Sequence, residues 1–225
     1  MAPVSAVTDH TPPRGARIWD LPTRLFHWLL TAAVSVSLYT GLSDNSDMDL
    51  HLASGYIVFA LLLFRLGWGM GGATYARFAQ FASSPRAAWD YLRRFRSVPE
   101  WAGHNPAASW AIFALLLALT AQVTTGLFST DDVLTEGPLR HLVGDDTSST
   151  LSWLHKRNAV LVLTLVGLHL LGVLVHLIVR RERLLRAMIT GDKPVVAAAT
   201  RYSWVVAVAL AAASIGTVYA VVHWL

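Results

Sequence analysis

The chain has 225 residues, of which 54% are hydrophobic and only 14% are charged, and it contains nine Trp. This composition is too apolar and too poor in charge for an ordinary soluble domain, so it indicates a membrane protein. The formal net charge of +4 does not indicate a nucleic-acid partner, because Lys and Arg lie mainly in the connections between apolar segments. We therefore expect membrane lipid, and no nucleic acid, around this chain.

Five apolar segments are each long enough to cross a bilayer, whose hydrocarbon core of about 30 Å takes roughly 20 helical residues. They cover about residues 22–42, 52–72, 108–128, 155–179 and 203–224. Because these segments are long, continuous and rich in Leu, Ala and Val, they predict helices, and open strands could not satisfy their backbone in lipid. The sequence predicts an all-α membrane protein, with a four-helix transmembrane bundle in residues 21–193, an additional transmembrane helix in 201–225 and a polar N-terminal segment in 1–20.

The basic residues are distributed unequally between the two sides of the predicted membrane protein. Three lie in residues 1–24, five in 73–107 and six in 180–203, which all fall on one side if the segments alternate. The opposite connections hold eight of the fourteen acidic residues. Basic connections stay in the cytoplasm, so we expect a cytoplasmic N-terminus, including residues 1–20, and a C-terminus on the outer side. In the cytoplasmic connection, Ser84 and Pro85 predict the start of a short interfacial helix.

Three histidines, His155, His169 and His176, lie in the fourth apolar segment. Polar groups within a membrane are costly and are usually functional. At about 100° per residue, all three fall on one face of a helix, and His169 lies about 21 Å along the axis from His155. A single His in an apolar helix is more often a hydrogen-bonded core residue than a ligand, so any site has to be argued from the whole set.

Depth matches these histidines with two others in the first and second segments. His27 lies about 22 Å from the outer end of its segment, at the level of His169, and His51 opens its segment at the outer edge, as His155 does. The sequence thus predicts two pairs, His51 with His155 and His27 with His169, stacked about 20 Å apart. Two such bis-imidazole sites between helices are what two haem b groups require, and without Cys any haem has to be bound noncovalently.

The other histidines have less specific interpretations. His176 lies about 31 Å from His155 along the helix, beyond any partner in the first segment, and is expected at the membrane interface. His104, in GHNP, is expected to form a structural turn, with quinone contact as an alternative. We expect surface or interfacial positions for the remaining three, His10, His141 and His223.

Four basic residues are candidates for contacts with haem propionates. Arg65 lies about 21 Å from His51 along the second segment, and a lone arginine at that depth costs about 2.5–3.5 kcal/mol without an anionic partner. Arg24 lies three residues before His27 and on the same face of the first helix, where snorkelling to the interface would explain it equally well. Lys156 and Arg157 are the corresponding candidates at the outer pair.

Several segments together resemble the bacterial cytochrome b561 family, which includes b-type cytochrome subunits of nickel–iron hydrogenases. They are RIWDLPTRLFHWLL, HLASGYIVFALLLFRLGWG, GHNP, LHKRNAVLVLTLVGLH and MITGDK, and the resemblance covers about residues 17–193. It implies a four-helix core with two noncovalent haem b groups in a bacterial inner membrane, ligated by His27, His51, His155 and His169. These are the same four residues that depth matching selects, and the fifth helix lies outside the common core.

The expected function is a diheme electron-transfer cytochrome. It would relay electrons between a quinone, ubiquinone or menaquinone, and a periplasmic cytochrome c or a dehydrogenase or hydrogenase subunit, with or without quinol oxidoreductase activity of its own. One alternative is a haem-bearing subunit that anchors a soluble enzyme, and a homodimer is a further candidate assembly. Another alternative, a His-dependent proton or metal transporter, predicts membrane-embedded acids or central prolines, which the five segments lack.

Overall fold

The computed structural model describes residues 15–43, 47–131 and 135–224. Residues 1–14, which include most of the expected N-terminal segment and His10, lie outside this description. In chain order the helices are α1 (Leu21–Leu42), α2 (Met48–Gly71), α3 (Phe78–Phe81), α4 (Pro85–Arg93), α5 (Pro106–Leu127), α6 (Asp145–Val175), α7 (Leu184–Thr190) and α8 (Trp204–His223). Five of the helices in the described ranges, α1, α2, α5, α6 and α8, are long and apolar enough to cross a membrane, which confirms the predicted fold class.

Side-chain caps fix the starts of several helices. Asp20 accepts a hydrogen bond from the backbone N–H of Thr23 at 2.8 Å at the start of α1, and Asn105 caps α5 in the same way. Such caps satisfy backbone donors that a helix leaves unpaired in its first turn. Ser84 caps α4 with Pro85 in its first turn, as the sequence predicts.

The fourth transmembrane helix, α6, is longer at its N-terminal end than its apolar segment indicates. It begins at Asp145 rather than near residue 155. Asp145 and Asp146 lie in its first turn, where negative charge stabilises a helix N-terminus. The side chains of Ser148 and Ser152 bond to carbonyl groups of the α5–α6 connection at 2.8 and 3.2 Å. This extension is polar, so hydropathy alone does not detect it.

The four-helix bundle is formed by two helix pairs, α1 with α2 and α5 with α6, and α2 also packs against α5. Its central cluster consists of small and branched apolar side chains, Ala33, Val34, Val58, Leu62, Ala118, Leu119 and Val162. Helix α8 packs along α2, where the side chain of Leu210 lies against Gly67. A Cβ at Gly67 would be only 2.7 Å from Leu210, so glycine permits the close approach of these two helices.

A small cap closes the end of the bundle at which α1 begins. Strand β1 (Ala16–Arg17) pairs antiparallel with β2 (Asp192–Lys193), and Ile18 and Trp19 are buried beneath them. Lys193 is buried, with its Nζ 2.6 Å from the Trp101 carbonyl oxygen and 3.4 Å from a Glu100 carboxylate oxygen. Three segments that are distant in sequence therefore meet near the first turns of α1.

Candidate functional site

The structure brings the four predicted histidines together in two pairs. The ring centres of His51 and His155 are 6.2 Å apart, and those of His27 and His169 are 6.4 Å apart. We call these the outer pair and the inner pair, after the sides expected from the charge distribution. Metal–imidazole bonds in proteins are about 2.0 Å long, so two imidazoles on opposite sides of one ion have ring centres roughly 6 Å apart. Both spacings fit an iron bound between two histidines.

The surroundings of His51 fix which of its nitrogens carries hydrogen. Its Nδ1 lies 3.1 Å from the carbonyl oxygen of Ser37 and 3.0 Å from Oγ1 of Thr40, both on α1. The Thr40 hydroxyl already donates to the Val36 carbonyl at 2.8 Å, so it can only accept from His51. Nδ1 is therefore the donor, and Nε2 keeps the lone pair that a metal needs.

His155 has the same arrangement against α5. Its Nδ1 lies 2.9 Å from the carbonyl oxygen of Gln122 and 3.2 Å from Oγ1 of Thr125. The Thr125 hydroxyl donates to the Ala121 carbonyl at 2.7 Å, so here too Nδ1 is the donor and Nε2 has the lone pair.

The side chain of Gln122 contacts the ligand atom itself. Its amide nitrogen lies 3.1 Å from Nε2 of His155, and its amide oxygen accepts a hydrogen bond from Asn158 at 2.7 Å. An iron bound to Nε2 of His155 would require the Gln122 amide to turn away from that atom.

Two glycines make room for the outer imidazoles, and sequence reasoning missed them. The residues TGL end both α1 and α5, with the glycine at Gly41 and Gly126. A Cβ at Gly41 would lie 3.0 Å from Cε1 of His51, and one at Gly126 would lie 2.8 Å from Cε1 of His155. The sequence signal that could have revealed these glycines is the repeated TGL, which ends α1 before the helix of His51 and ends α5 before the helix of His155.

A cavity of about 510 Å³ lies between the outer histidines, and both of them line it. Its volume falls in the range of about 300–1,000 Å³ that is typical of small-molecule and cofactor sites. Gly55 and Lys156 also line it, whereas Arg157 is exposed with its guanidinium carbon 5.7 Å from the ring centre of Trp153. The cavity, the small side of Gly55 and the fixed imidazoles together fit a planar macrocycle at the outer pair.

The inner end of the bundle holds a group of buried polar nitrogens without hydrogen-bond partners among the described residues. Buried polar groups are normally paired, so such a group indicates a polar ligand. Its members are His27 Nδ1, Arg24 Nε, Arg65 Nη1, Arg77 Nε and His104 Nδ1. Four of these residues were considered in the sequence analysis, and the fifth, Arg77, was not.

Arg65 is the most buried of the predicted propionate contacts, with 4% of its surface exposed. Its guanidinium carbon lies 4.6 Å from the ring centre of Phe78 and 5.9 Å from that of Phe81. The buried carboxylate of Asp20 interacts with its charge, a partner that sequence reasoning missed. Arg24 donates a hydrogen bond from Nη1 to the Ile189 carbonyl, which leaves its Nε directed elsewhere.

His104 packs between two aromatic rings beside the inner pair. Its ring centre lies 4.6 Å from those of both Trp19 and Phe81. Burial, and then the positive charges of Arg65 and Lys193, lower the pKa of His104 to about 3. The residue is therefore neutral at physiological pH, and the structural turn expected for GHNP includes a buried imidazole.

His176 joins three helices rather than facing another histidine. It begins a π-helical turn (His176–Arg180) that continues α6, and its Nδ1 lies 2.8 Å from the Gly172 carbonyl oxygen. Its Nε2 lies 3.1 Å from the hydroxyl of Tyr91 on α4 and 3.2 Å from the amide nitrogen of Asn105. Both ring nitrogens are thus used in contacts between helices.

Comparison with known proteins identifies the family. The family model described as prokaryotic cytochrome b561 matches residues 18–191, which is most of the chain and contains all four paired histidines. The chain belongs to the prokaryotic cytochrome b561 family. The resemblance predicted from the sequence is thereby confirmed, and cytochrome b561 membership makes this a multi-pass inner-membrane protein of electron transfer that uses haem b.

Two curated relatives are each named a probable Ni/Fe-hydrogenase 1 B-type cytochrome subunit, one from Escherichia coli strain K12 and one from Escherichia coli O157:H7. Each is 23% identical over 135 residues, which cover 48% of this chain and 57% of the relative. The chain thus matches little more than half the length of these relatives. No solved structure matches the chain significantly.

Proposed function

We propose that this cytochrome b561 relays electrons across the membrane through two haem b groups, between a quinone and a redox partner. The observation that carries the proposal is the pair of ring spacings, 6.2 and 6.4 Å, in two histidine pairs. Because His155 and His169 both lie on α6, the two sites are about 21 Å apart along that helix.

The four paired histidines are the proposed iron ligands. His51 and His155 bind the outer iron, and His27 and His169 bind the inner iron. Bound in this way, haem b supplies one-electron transfer. With two imidazoles held for each iron, the protein would leave no position at which oxygen or a substrate could bind to the metal.

The basic residues near each pair provide charge for the haem propionates. At the inner pair, Arg24 and Arg65 have buried nitrogens free of hydrogen bonds within the described part of the chain. At the outer pair Lys156 lines the cavity, and Arg157 is one residue further along α6. A guanidinium or ammonium group beside a carboxylate stabilises it by charge-assisted hydrogen bonding.

The charge distribution supports an orientation with the N-terminus in the cytoplasm and the C-terminus in the periplasm. Residues 1–20 then form a cytoplasmic segment, 21–193 the diheme core and 201–225 an additional helix. The partner is a periplasmic cytochrome c or a dehydrogenase or hydrogenase subunit, and the names of the relatives favour a hydrogenase. The quinone is ubiquinone or menaquinone.

Quinol oxidation by the purified protein tests the relay. Ubiquinol or menaquinol analogues should reduce the haem of the wild-type protein, and added cytochrome c should reoxidise it. The visible spectrum of the haem follows both steps. The His51→Ala variant should break this path, because it lacks one outer ligand. A protein that binds haem but exchanges electrons with neither quinol nor quinone would instead be a membrane-anchor subunit, the second candidate function that the names of the relatives support.

A further inference from the structure

A basic pocket lies beside the small cap, at the end of the bundle that holds the inner pair. It has a volume of about 410 Å³ and is lined by strand β2 and by three arginines that follow α6, Arg181, Arg183 and Arg186. We call it the arginine pocket. None of these three guanidinium groups forms an ion pair with another residue in the described ranges, whereas Arg180, directly before them, is paired with Glu182.

Three acidic side chains also line the arginine pocket, but each of them already has a basic partner. The pairs are Glu182 with Arg180 at 2.6 Å, Asp192 with Arg17 at 3.5 Å and Glu100 with Lys193 at 3.4 Å. The charge of the three arginines is therefore not compensated by the carboxylates of the pocket. A bound anion would compensate it through charge-assisted hydrogen bonds.

The backbone at the start of this segment has an uncommon conformation. Arg181 has φ 59° and ψ 23°, in the left-handed region, and no other non-glycine residue in the described part of the chain has a positive φ. Residues with a Cβ adopt this region only where the surrounding structure holds them there. Here the backbone N–H of Glu182 donates to the His176 carbonyl at 3.2 Å, which closes the π-helical turn. The chain therefore bends sharply after α6, and the bend places all three arginines at one pocket.

Contacts with α1 place α7 at the level of the membrane surface. The carbonyl oxygen of Ile189 accepts a hydrogen bond from Arg24, and that of Met188 accepts one from Nε1 of Trp28 at 3.3 Å. Arg24 and Trp28 lie near the start of a helix that is apolar and long enough to span the membrane. Leu185 and Ile189, one turn apart on α7, are each 58% exposed although both are apolar. Exposed apolar side chains beside arginines on a surface helix are typical of contact with lipid.

We infer that the arginine pocket binds the phosphate group of an anionic phospholipid. Guanidinium groups match phosphate oxygens with paired N–H donors, and basic pockets beside transmembrane helices bind anionic lipid head groups. The exposed Leu185 and Ile189 provide apolar contact for the acyl chains. A free phosphate ion has the same charge chemistry, but it gains nothing from these two side chains, so the phospholipid is the favoured source of the phosphate.

Lipid binding by the purified full-length protein tests this site. In a neutral detergent, native mass spectrometry should show that the wild type binds phosphatidylglycerol in preference to zwitterionic phosphatidylethanolamine with the same acyl chains. The double variant Arg183→Gln/Arg186→Gln should bind phosphatidylglycerol about 30-fold more weakly, since each basic side chain near anionic lipid contributes about fivefold. Arg86→Gln/Arg94→Gln is the matched control, because both residues are exposed, neither lines the pocket, and the loss of charge is the same. The control should bind as the wild type does.

Two further variants separate the charge of the pocket from the folding of the protein. Arg183→Lys/Arg186→Lys keeps both positive charges and should retain most of the binding. Far-UV circular dichroism and the thermal midpoint show whether each variant is folded. If the double Gln variant does not fold, Arg183→Gln alone should still show a loss of about fivefold.

Three results would overturn the inference. The first is equal affinity of the wild type and the folded Gln variants for phosphatidylglycerol, and the second is an equal loss in the Arg86→Gln/Arg94→Gln control, which would indicate general attraction to the basic surface. The third is binding of inorganic phosphate, used as a separate probe, as tightly as phosphatidylglycerol and with the same loss in the Gln variants. That result would identify a soluble phosphate as the ligand.

Discussion

The tautomer of each paired histidine, and so the nitrogen available to a metal, depends on the hydrogen bonds of the other ring nitrogen. Nδ1 of His51 and of His155 faces oxygens of the preceding transmembrane helix, which fixes the tautomer and leaves the lone pair on Nε2. At the inner pair, by contrast, Nδ1 of His27 is buried without a hydrogen-bond partner among the described residues, and the ring lies edge-on to Trp28 with ring centres 5.0 Å apart. The same residue type therefore occupies two chemically different environments in one helix bundle.

Replacement of His27 by Ala should remove one haem and leave the other. The inner site would lose one of its two histidines, while the outer pair, about 21 Å away along α6, keeps both. A pyridine haemochrome assay should show the haem content falling from two to one per chain. His223→Ala is a suitable control, because His223 lies at the end of α8 beside Tyr219 and does not line the cavity of the outer pair. Unchanged haem content in His27→Ala would exclude His27 as a ligand.

The buried imidazole of His104 should make the protein less stable in acid. Its pKa is lowered from 6.5 to about 3 in the folded protein, so between these values the unfolded chain binds a proton that the folded chain does not. The stability that its neutral form contributes is therefore present above about pH 6.5 and falls as the pH is lowered, by at most about 1.4 kcal/mol per unit. His104→Asn should show a smaller loss of thermal midpoint between pH 7 and pH 5 in detergent than the wild type. Equal losses in both proteins would show that His104 does not contribute.

At the scale of helices, the sequence predicted the five spans because length and hydropathy alone determine whether a segment can cross a bilayer. It also predicted which histidines meet, since helical rise fixes depth along parallel axes. It did not predict that α6 extends to Asp145, because that turn is polar and is stabilised by bonds to the preceding connection. The partners of the outer imidazoles were missed because a helix terminus, and not a motif around the histidine itself, supplies them.

The glycine at the end of α5 should be required for outer haem binding. In Gly126→Ala the new methyl group would lie 2.8 Å from Cε1 of His155, so the imidazole has to move from its position. The haem content should fall toward one per chain, with the inner component retained in the difference spectrum. Gly167→Ala is the matched control, because a Cβ at Gly167 has no atom within 4 Å. Full haem content in Gly126→Ala would show that the site tolerates the methyl group.

For the whole molecule, the family match and the structure define a four-helix core to which α8 is added. The match ends at residue 191, before α8 begins, and α8 packs on α2 through Leu210 and Ala207. The paired strands and the buried Lys193 close the end of the bundle that holds the inner histidines. The arrangement separates a basic, capped end from an acidic end with shorter connections.

The unequal charge of these two ends predicts the orientation of the molecule in the membrane. Three basic regions on one side should keep that side in the cytoplasm, so the C-terminus should lie in the periplasm. Alkaline phosphatase fused to the C-terminus should therefore be active, and the same fusion after residue 200 should be inactive. The reverse pattern of activity would show that the orientation is inverted, so that the pair named outer lies toward the cytoplasm and the pair named inner toward the periplasm.

The central claim is that two histidine pairs bind two haem b groups in one chain. A reduced-minus-oxidised visible spectrum of the purified protein, combined with a pyridine haemochrome assay and a protein determination, tests it most directly. The spacing of the paired rings predicts a b-type spectrum and two haems per chain. A single haem per chain would refute one of the two pairs, and a protein without haem b would contradict the account as a whole.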